Sequence, residues 1–256
     1  MSLVLILLPP SEGKRRPTRG KVMDLGALSQ PELTNARQQV LDGLRQLCNS
    51  DRATARRILG IPATMDGEIE SNTHLLAAPS AAAATIYTGV LFAALALPAL
   101  SGDELRRANK RIVIMSALFG VVRPADRIAA YRLSGGVSLP VLGGLGTFWR
   151  KELGSGVSGI AEDGLVVDLR SAPYRNMWRP STGAQAKWVE VKIWQRSGSA
   201  QRIAVSHFNK TAKGSIAHQL ATTAENITTP NRLVEFVGDH GWEGELSENR
   251  LDVYIP

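Results

Sequence analysis

A serine, a carboxylate and an amine follow one another near the start of the chain, in the segment LLPPSEGK. Ser11 and Glu12 could supply a nucleophile and an acid/base group, and the Lys14 amine could anchor a phosphate. A phosphate-binding loop would need a glycine five residues before its Gly-Lys pair and a Ser or Thr after the lysine. Leu8 and Arg15 occupy those positions, so the segment is not such a loop. Its polarity must be explained by its place in the fold.

The elements that position these groups are indicated by hydrophobic patterning. Short apolar runs that predict buried strands lie at 4–8, 112–115 and 165–169. Alternating patterns at 188–194 and 202–208, separated by turn formers, predict an antiparallel hairpin. Helical patterns lie at 31–60, 81–97, 102–108 and 212–224. We therefore predict a mixed α/β fold, a single domain over residues 1–256, with a helical insertion at about 30–110 after the first strand.

Polar residues follow each of the predicted buried strands. If these strands are parallel neighbours, the loops after their carboxyl ends meet at one edge of the sheet, where ligand sites form. The polar residues expected at this edge are Ser11, Glu12, Lys14, Ser116, Arg123, Asp126, Asp168, Arg170 and Ser171. Among them, Ser11, Glu12 and Asp126 are the candidate catalytic groups. The sequence thus predicts a polar cleft, which explains why the first strand ends in SEGK.

Composition and charge narrow the partners. Lys and Arg total 30 against 23 Asp and Glu, a net charge of +7 that favours anionic partners, nucleic acid first. No apolar run approaches the roughly 20 residues of a membrane span, and the first run lacks the features of a signal peptide. The single cysteine, Cys48, excludes an internal disulfide and is typical of a reducing cytoplasm. No cluster at ligand spacing indicates a metal, so neither metal nor cofactor is expected.

The basic residues of these loops could contact backbone phosphates, and aromatic residues beside them could stack on unpaired bases. The predicted nucleic-acid contacts are Lys14, Arg123, Tyr131, Arg132, Arg170, Tyr174, Lys210 and Lys213. For the arginines an alternative stays open, since Arg123 and Arg132 could pair with Asp126 and Asp168 to hold the loops. The tyrosines could equally be core residues with one polar tip.

Several separated segments resemble the YaaA-type peroxide-stress proteins of bacteria. The matching segments are PPSEGK (9–14), IYTGV (86–90), MSALFGVVRPADRIAAYRL (115–133), FW (148–149), DLRSAPY (168–174) and NKTAKG (209–214). The resemblance implies a single mixed α/β domain with a basic cleft, binding of nucleic acid including duplex DNA, and resistance to hydrogen peroxide by limiting iron-driven damage. The first loop is longer than the SPAKT version of some members. Lys14 matches the lysine of that version, but Ser11 and Glu12 have no clear counterparts in it. Asp168 replaces an asparagine found elsewhere, so carboxylate chemistry is not expected there.

Three functions remain open at this point. The first is a cytoplasmic, cofactor-free protein that binds nucleic acid, most readily duplex DNA, through the basic cleft, without a membrane and without a sign of a stable protein partner. The second is an enzyme acting on a nucleotide or nucleobase, with Glu12 as acid/base and Lys14 as phosphate anchor. The third, a direct iron-binding protein, lacks a ligand cluster. We expect the first, and a protein that is not an enzyme.

Overall fold

A mixed β-sheet forms the centre of the molecule in a computed structural model that describes residues 4–154, 164–179, 187–197, 201–203 and 206–255. The strands are β1 (Leu5–Leu8), β2 (Ala81–Ala82), β3 (Ile112–Ser116), β4 (Gly120–Val122), β5 (Arg127–Ile128), β6 (Ser138–Leu139), β7 (Gly143–Gly144), β8 (Leu165–Asp168), β9 (Lys187–Ser197), β10 (Gln201–Ile203), β11 (Glu243–Ser247) and β12 (Arg250–Ile255). The central sheet has the order β11-β12-β9-β8-β1-β3-β4, with β10 paired to β9. The mixed α/β class predicted from the sequence is confirmed.

Parallel pairing explains why the central strands are apolar throughout. β1 lies between β3 and β8 and is parallel to both, and β9 is parallel to β8 and to β12. Every residue of β1 and β8 is buried, as expected for strands covered on both faces. The carboxyl ends of β1 and β8 therefore lie side by side, and the segments after Leu8 and Asp168 emerge at the same edge.

Helices cover the sheet and fill the connection between β1 and β3. The α-helices are α1 (Thr34–Cys48), α2 (Arg52–Leu59), α3 (Asp66–Thr73), α4 (Ala83–Ile86), α5 (Val90–Leu95), α6 (Gly102–Arg111), α7 (Leu145–Glu152), α8 (Ala172–Arg175), α9 (Ser206–Thr222) and α10 (Pro230–Asp239). Short 3-10 helices lie at Leu25–Ala27, Pro31–Leu33, Ala63–Met65 and Leu97–Ala99. Helices α1 to α6 lie between β1 and β3, where the sequence placed the insertion. No helix within the described residues is long and apolar enough to cross a bilayer.

The predicted helix at 81–97 is interrupted, and the break shapes the site. Tyr87 has extended backbone angles after α4, and Gly89 has a φ of 96°, a conformation that favours glycine. Tyr87 also forms a bridge with Lys14, so the chain between α4 and α5 runs along the first loop. Helical spacing in the sequence carried no signal for this pairing with a distant loop.

The predicted second strand of the hairpin overlaps the start of α9. β10 pairs antiparallel with β9, as the alternating patterns indicated. However, α9 begins at Ser206, whereas the sequence predicted strand to residue 208 and a helix only from residue 212. The helical face of α9 includes Ala212, Ile216 and Leu220, which are buried against the rest of the core.

Helices α5 and α9 approach one another very closely. A Cβ added at Gly214 of α9 would lie 2.3 Å from the main-chain oxygen of Leu91 and 2.7 Å from Cβ of Ala94. Only glycine permits this approach, because any side chain would meet the backbone of α5. The contact fixes α9, and the lysines it carries, against the segment that follows Gly89.

Candidate functional site

A cleft of about 800 Å³ lies where the segments after β1 and β8 emerge from the sheet. Its walls come from five parts of the chain: the loop after β1, the loop and α8 after β8, the start of α5, the middle of β9, and α9. The lining residues are Pro9, Pro10, Ser11, Glu12, Gly13, Thr88, Gly89, Val90, Leu91, Phe92, Leu169, Arg170, Ser171, Ala172, Tyr174, Arg175, Glu190, Lys192, Ile193, Trp194, Asn209, Lys210 and Lys213. Its volume is in the range of small-molecule sites.

The floor of the cleft is held by a buried ion pair. Asp168 and Arg170 are both fully buried, and Nε and Nη2 of Arg170 lie 2.8 and 2.7 Å from the two carboxylate oxygens. Trp188 Nε1 also donates to this carboxylate, at 3.2 Å. Burial raises the pKa of Asp168, but the hydrogen bonds and charge of Arg170 outweigh it and the net shift is downward. This pair holds the loop after β8. The partner of Asp168 is therefore Arg170, and not Arg123 or Arg132.

Lys213 places an amine on the cleft wall. Its Nζ donates to the main-chain oxygen of Leu169 at 3.0 Å, so the lysine links α9 to the loop after β8. Burial lowers the pKa of Lys213 to about 8, and the charges of Arg175 and Lys192 act in the same direction against those of Asp168 and Glu190. In the described part of the chain no carboxylate forms an ion pair with this amine.

Cations outnumber carboxylates around the cleft. Among the described lining residues the cations are Arg170, Arg175, Lys192, Lys210 and Lys213, and the carboxylates are Glu12 and Glu190. Glu190 forms an ion pair with Arg175, whose Nη1 lies 2.8 Å from Oε1, while Lys192 Nζ lies 3.8 Å from the same oxygen. Lys210 is exposed on α9. The rim therefore carries positive charge that the cleft's own carboxylates do not neutralise.

The first loop is organised by its own hydrogen bonds. Ser11 Oγ accepts from the Thr88 amide at 3.0 Å and donates to the main-chain oxygen of Gly13. Lys14 Nζ donates to the main-chain oxygen of Ser11 at 2.8 Å. The Ser11 hydroxyl lines the cleft but has no base beside it among these contacts. Its role in the structure is to tie the loop to the segment before α5.

Glu12 stands between two cavities. Its carboxylate lies 3.2 Å from Nη1 of Arg132, and the glutamate is 52% exposed. A second cavity of about 580 Å³ lies on the other side of this pair and is lined by Glu12, Arg57, Ile58, Leu59, Gly60, Arg132, Ser134, Gly136, Val137 and Ser138. Arg132 thus lies next to the predicted cleft, paired with Glu12 and not with either aspartate.

Lys14 and Tyr131 form a separate cluster below the first loop. Lys14 Nζ lies 4.2 Å from the ring centre of Tyr131 and 5.5 Å from that of Tyr87. The Tyr131 hydroxyl is 2.7 Å from Ser116 Oγ and 3.1 Å from the Tyr87 hydroxyl. Burial lowers the pKa of Lys14 to about 8 and raises that of Tyr131. Neither Lys14 nor Tyr131 lines the cleft, and Tyr131 is buried.

Arg123 and Asp126 do not line the cleft, so the prediction that they lie at the edge where β1 and β8 end was wrong. β4 pairs antiparallel with β3, so the chain turns back after Ser116 and reaches Arg123 at the opposite end of β3. Arg123 Nη1 donates there to the main-chain oxygens of Asn109 and Lys110, at the end of α6. Asp126 accepts from the Ser29 amide and hydroxyl and from the Arg123 amide. Both residues hold loops together far from the cleft.

The other predicted contacts fall at the cleft. Arg170, Tyr174, Lys210 and Lys213 all line it, although Arg170 is occupied by Asp168. Tyr174 is buried, its hydroxyl accepts from the Gly135 amide at 3.1 Å, and burial raises its pKa to about 12.

Two residues of β9 were not predicted for the site. Glu190 and Lys192 line the cleft in the middle of the strand. The signal was present in the segment WVEVKIW, since alternation places these two polar residues on the face opposite Val189 and Val191, which are buried.

The described residues contain no group of three or more His, Cys, Asp or Glu that could hold a metal ion.

Comparisons with known proteins identify relatives over nearly the whole chain. A family model described as Peroxide stress protein YaaA matches residues 4–245. A UPF0246 protein of Streptomyces coelicolor is 44% identical over 242 residues, 94% of this chain and 92% of that protein. A UPF0246 protein of Corynebacterium efficiens is 38% identical over 255 residues, 97% of this chain and 98% of that protein. One from Shewanella baltica is 30% identical over 228 residues, 86% and 88% of the two chains.

Proposed function

The chain belongs to the peroxide stress protein YaaA family. We propose that it acts in the response to peroxide stress by binding nucleic acid in the cleft. Backbone phosphates contact the cationic rim, and one nucleotide enters the cavity. Binding in turn shields the nucleic acid from iron-driven oxidation. The observation that carries this proposal is the excess of cations over carboxylates around a cavity of about 800 Å³.

The charge distribution supports phosphate binding at the rim. Lys210 is exposed on α9, and Lys192 is 3.8 Å from a carboxylate that Arg175 already holds at 2.8 Å. Each lysine can therefore exchange a bound counterion for a phosphate, and release of these counterions makes binding fall with salt. The exposed Arg15, Arg19 and Lys21 of the loop after β1 extend the positive surface beyond the cleft.

The shape of the cleft supports entry of a single nucleotide. A volume of about 800 Å³ suits a ligand of that size, and the walls near Leu91 and Phe92 are apolar. A base removed from its stack is usually received by apolar surface together with a few polar groups. We therefore expect tighter binding to a duplex with one extruded base than to an intact duplex.

The proposal is tested by fluorescence anisotropy with an intact duplex, a duplex with one extruded base, and single-stranded DNA, at 50 and 200 mM salt. The Lys192→Ala plus Lys210→Ala variant should bind more weakly. The slope of log affinity against log salt should fall by about 1.8, since two phosphate contacts are lost. The Lys110→Ala plus Lys151→Ala variant removes the same charge from exposed positions outside the cleft and is the control. Equal slopes in the two variants would contradict the assigned surface.

The link to peroxide is tested in cells. A strain that lacks the gene should regain survival in hydrogen peroxide with the native protein or with the Lys110/Lys151 control variant. The Lys192/Lys210 variant should restore less. Full restoration by that variant, at equal protein level, would separate the peroxide role from the cleft.

An enzyme acting on a nucleotide or nucleobase is the second candidate, and it is favoured by the Lys213 amine on the cavity wall. Burial lowers the pKa of this amine to about 8, and such groups concentrate at functional sites. Glu12 lines the same cavity and is the acid/base candidate. Mass spectrometry of the DNA after incubation should show an altered base or a cut strand that is lost in the Glu12→Gln variant. DNA of unchanged mass would leave the protective binding role.

A further inference from the structure

We propose that Lys213 forms an imine with the aldehyde of a ring-opened sugar that carries a neighbouring phosphate. The proposal deepens the proposed function, because it rests on the same cleft and names the chemistry of the ligand that enters it. Such an aldehyde has two sources, an abasic position in DNA and a free sugar phosphate. The cleft favours the first, since its basic rim continues into the exposed loop after β1.

The geometry places the amine where a bound carbonyl can reach it. Lys213 projects from α9 onto the cavity wall, and its Nζ is held at 3.0 Å from the main-chain oxygen of Leu169. Close packing at Gly214 fixes this part of α9 against Leu91. The amine is therefore positioned by two neighbouring segments before any ligand binds, on a side chain that lines the cavity.

The protonation state of the amine suits attack on a carbonyl. Only the neutral amine is a nucleophile, and buried lysines form imines because burial favours the neutral form. With a pKa of about 8, a much larger share of Lys213 is neutral near pH 7.5 than of an ordinary lysine, whose pKa is about 10.4. Its hydrogen bond goes to a main-chain oxygen, which accepts from either protonation state. In the described residues no ion pair with a carboxylate holds its proton.

Lys14 has the same lowered pKa but different surroundings. Its Nζ faces the rings of Tyr131 and Tyr87, an arrangement that favours the charged form, and it does not line the cleft. Lys14 also donates to a main-chain oxygen, that of Ser11, but it lacks the access to the cleft that Lys213 has. Lys192 lines the same cleft, and its charge acts on Lys213, so this lysine can receive the phosphate next to the aldehyde.

The step needs no oxidant or cofactor. The nitrogen lone pair attacks the aldehyde carbon, and the carbonyl oxygen takes a proton to give a carbinolamine. The hydroxyl then leaves as water, and a C=N bond replaces the C=O bond. The nitrogen gives up both of its amine protons in forming the neutral imine. Water reverses the reaction, so the adduct is transient unless it is reduced.

The test is reductive trapping of the full-length protein with sodium cyanoborohydride. One arm contains a duplex with a single abasic position, a second contains 2-deoxyribose 5-phosphate, and a third contains the intact duplex. The abasic duplex should give a covalent adduct that peptide mapping places on Lys213. The yield should rise from pH 6.5 to 7.5, because more of the Lys213 amine is then neutral. The Lys213→Met variant should give at least tenfold less adduct than the native protein, whereas Lys151→Met should give the native yield.

The outcomes separate this inference from the proposed function. Salt-sensitive binding of the intact duplex without an adduct on Lys213 in any arm overturns the imine and leaves nucleic-acid binding standing. An adduct on Lys213 with 2-deoxyribose 5-phosphate, together with no DNA binding, supports the imine and rejects nucleic acid as its source. Adducts spread over surface lysines, with none enriched at Lys213, overturn the inference. Mapping on the native protein keeps the test valid even if Lys213→Met folds poorly.

Discussion

Replacing Arg170 with methionine should cost about 3–5 kcal/mol of folding free energy at pH 7, because it leaves a buried carboxylate without its cation. Asp168 and Arg170 are fully buried at the end of β8 and share two hydrogen bonds, at 2.8 and 2.7 Å. The other donors to Asp168 are neutral: the amide of residue 170 at 3.0 Å and Trp188 Nε1 at 3.2 Å. A domain of this kind has roughly 5–15 kcal/mol in total, so the loss is a large share of it.

The pH dependence of this loss separates charge from packing. In the native protein the net shift of the Asp168 pKa is downward, since Arg170 outweighs burial. Such a carboxyl stabilises the fold above its unfolded pKa of about 3.9, and that contribution disappears as the pH falls through the folded pKa. Without the Arg170 guanidinium, the amide of residue 170 and Trp188 still favour the charged form, but burial, the largest influence, then raises the Asp168 pKa. The variant should therefore recover stability relative to the native protein as the pH falls from 7.5 towards 5.

Urea unfolding followed by tryptophan fluorescence at pH 7.5 and pH 5.0 measures both effects. The Asp168→Asn plus Arg170→Met variant has no charge at these two positions and should be more stable at pH 7.5 than Arg170→Met alone, by about 1–3 kcal/mol. A loss below about 1 kcal/mol in Arg170→Met would refute the reasoning. So would a loss that is equal at the two pH values, because it would then come from packing alone.

Two further changes test the packing of α9 and the charge of the cleft. Gly214→Ala should destabilise the fold by about 1–3 kcal/mol or more, because the new Cβ would meet the Leu91 oxygen, while Gly136→Ala, with nothing within 4 Å, should leave the melting temperature within a degree or so. Equal melting temperatures of the two variants would contradict the close contact. Glu12→Gln should bind duplex DNA roughly two- to fivefold more tightly at 50 mM salt and less so at 200 mM, because a carboxylate leaves the cleft and Arg132 is released. Weaker binding in the anisotropy assay would argue against phosphate contacts near Arg132.

The position of the cleft could be predicted because it depends on local features. A continuous apolar run followed by polar residues marks the end of a buried strand, and parallel strands end at a common edge. Ser11, Glu12 and Arg170 follow such runs directly, and the structure brings them to one cavity. The fold class followed from the same patterns. The resemblance of separated segments to one family was also confirmed, over residues 4–245.

Features that depend on strand direction and chain pairing could not be predicted from these patterns. The short turn after Ser116 reverses the chain into β4, and this reversal carries Arg123 to the other end of the sheet. A Gly120 with a φ of 71°, whose added Cβ would lie 2.7 Å from the Trp149 ring, permits this turn. A glycine in a sequence does not reveal which distant ring packs on it. The predicted position of Arg123 at the cleft was therefore wrong, because it depended on the direction of β4, which is set by tertiary packing.

The two half-buried lysines show where sequence reasoning stops and the structure becomes necessary. Lys14 and Lys213 lie in matching family segments, and burial lowers the pKa of each to about 8. Each amine donates to a main-chain oxygen, but Lys14 packs over the ring of Tyr131 while Lys213 lines an open cavity. A shifted pKa by itself therefore does not identify a reactive amine, and access to a ligand decides between the two. Since access follows from the packing of α9 at Gly214, a change at that glycine should alter the reactivity of Lys213 while leaving Lys14 unchanged.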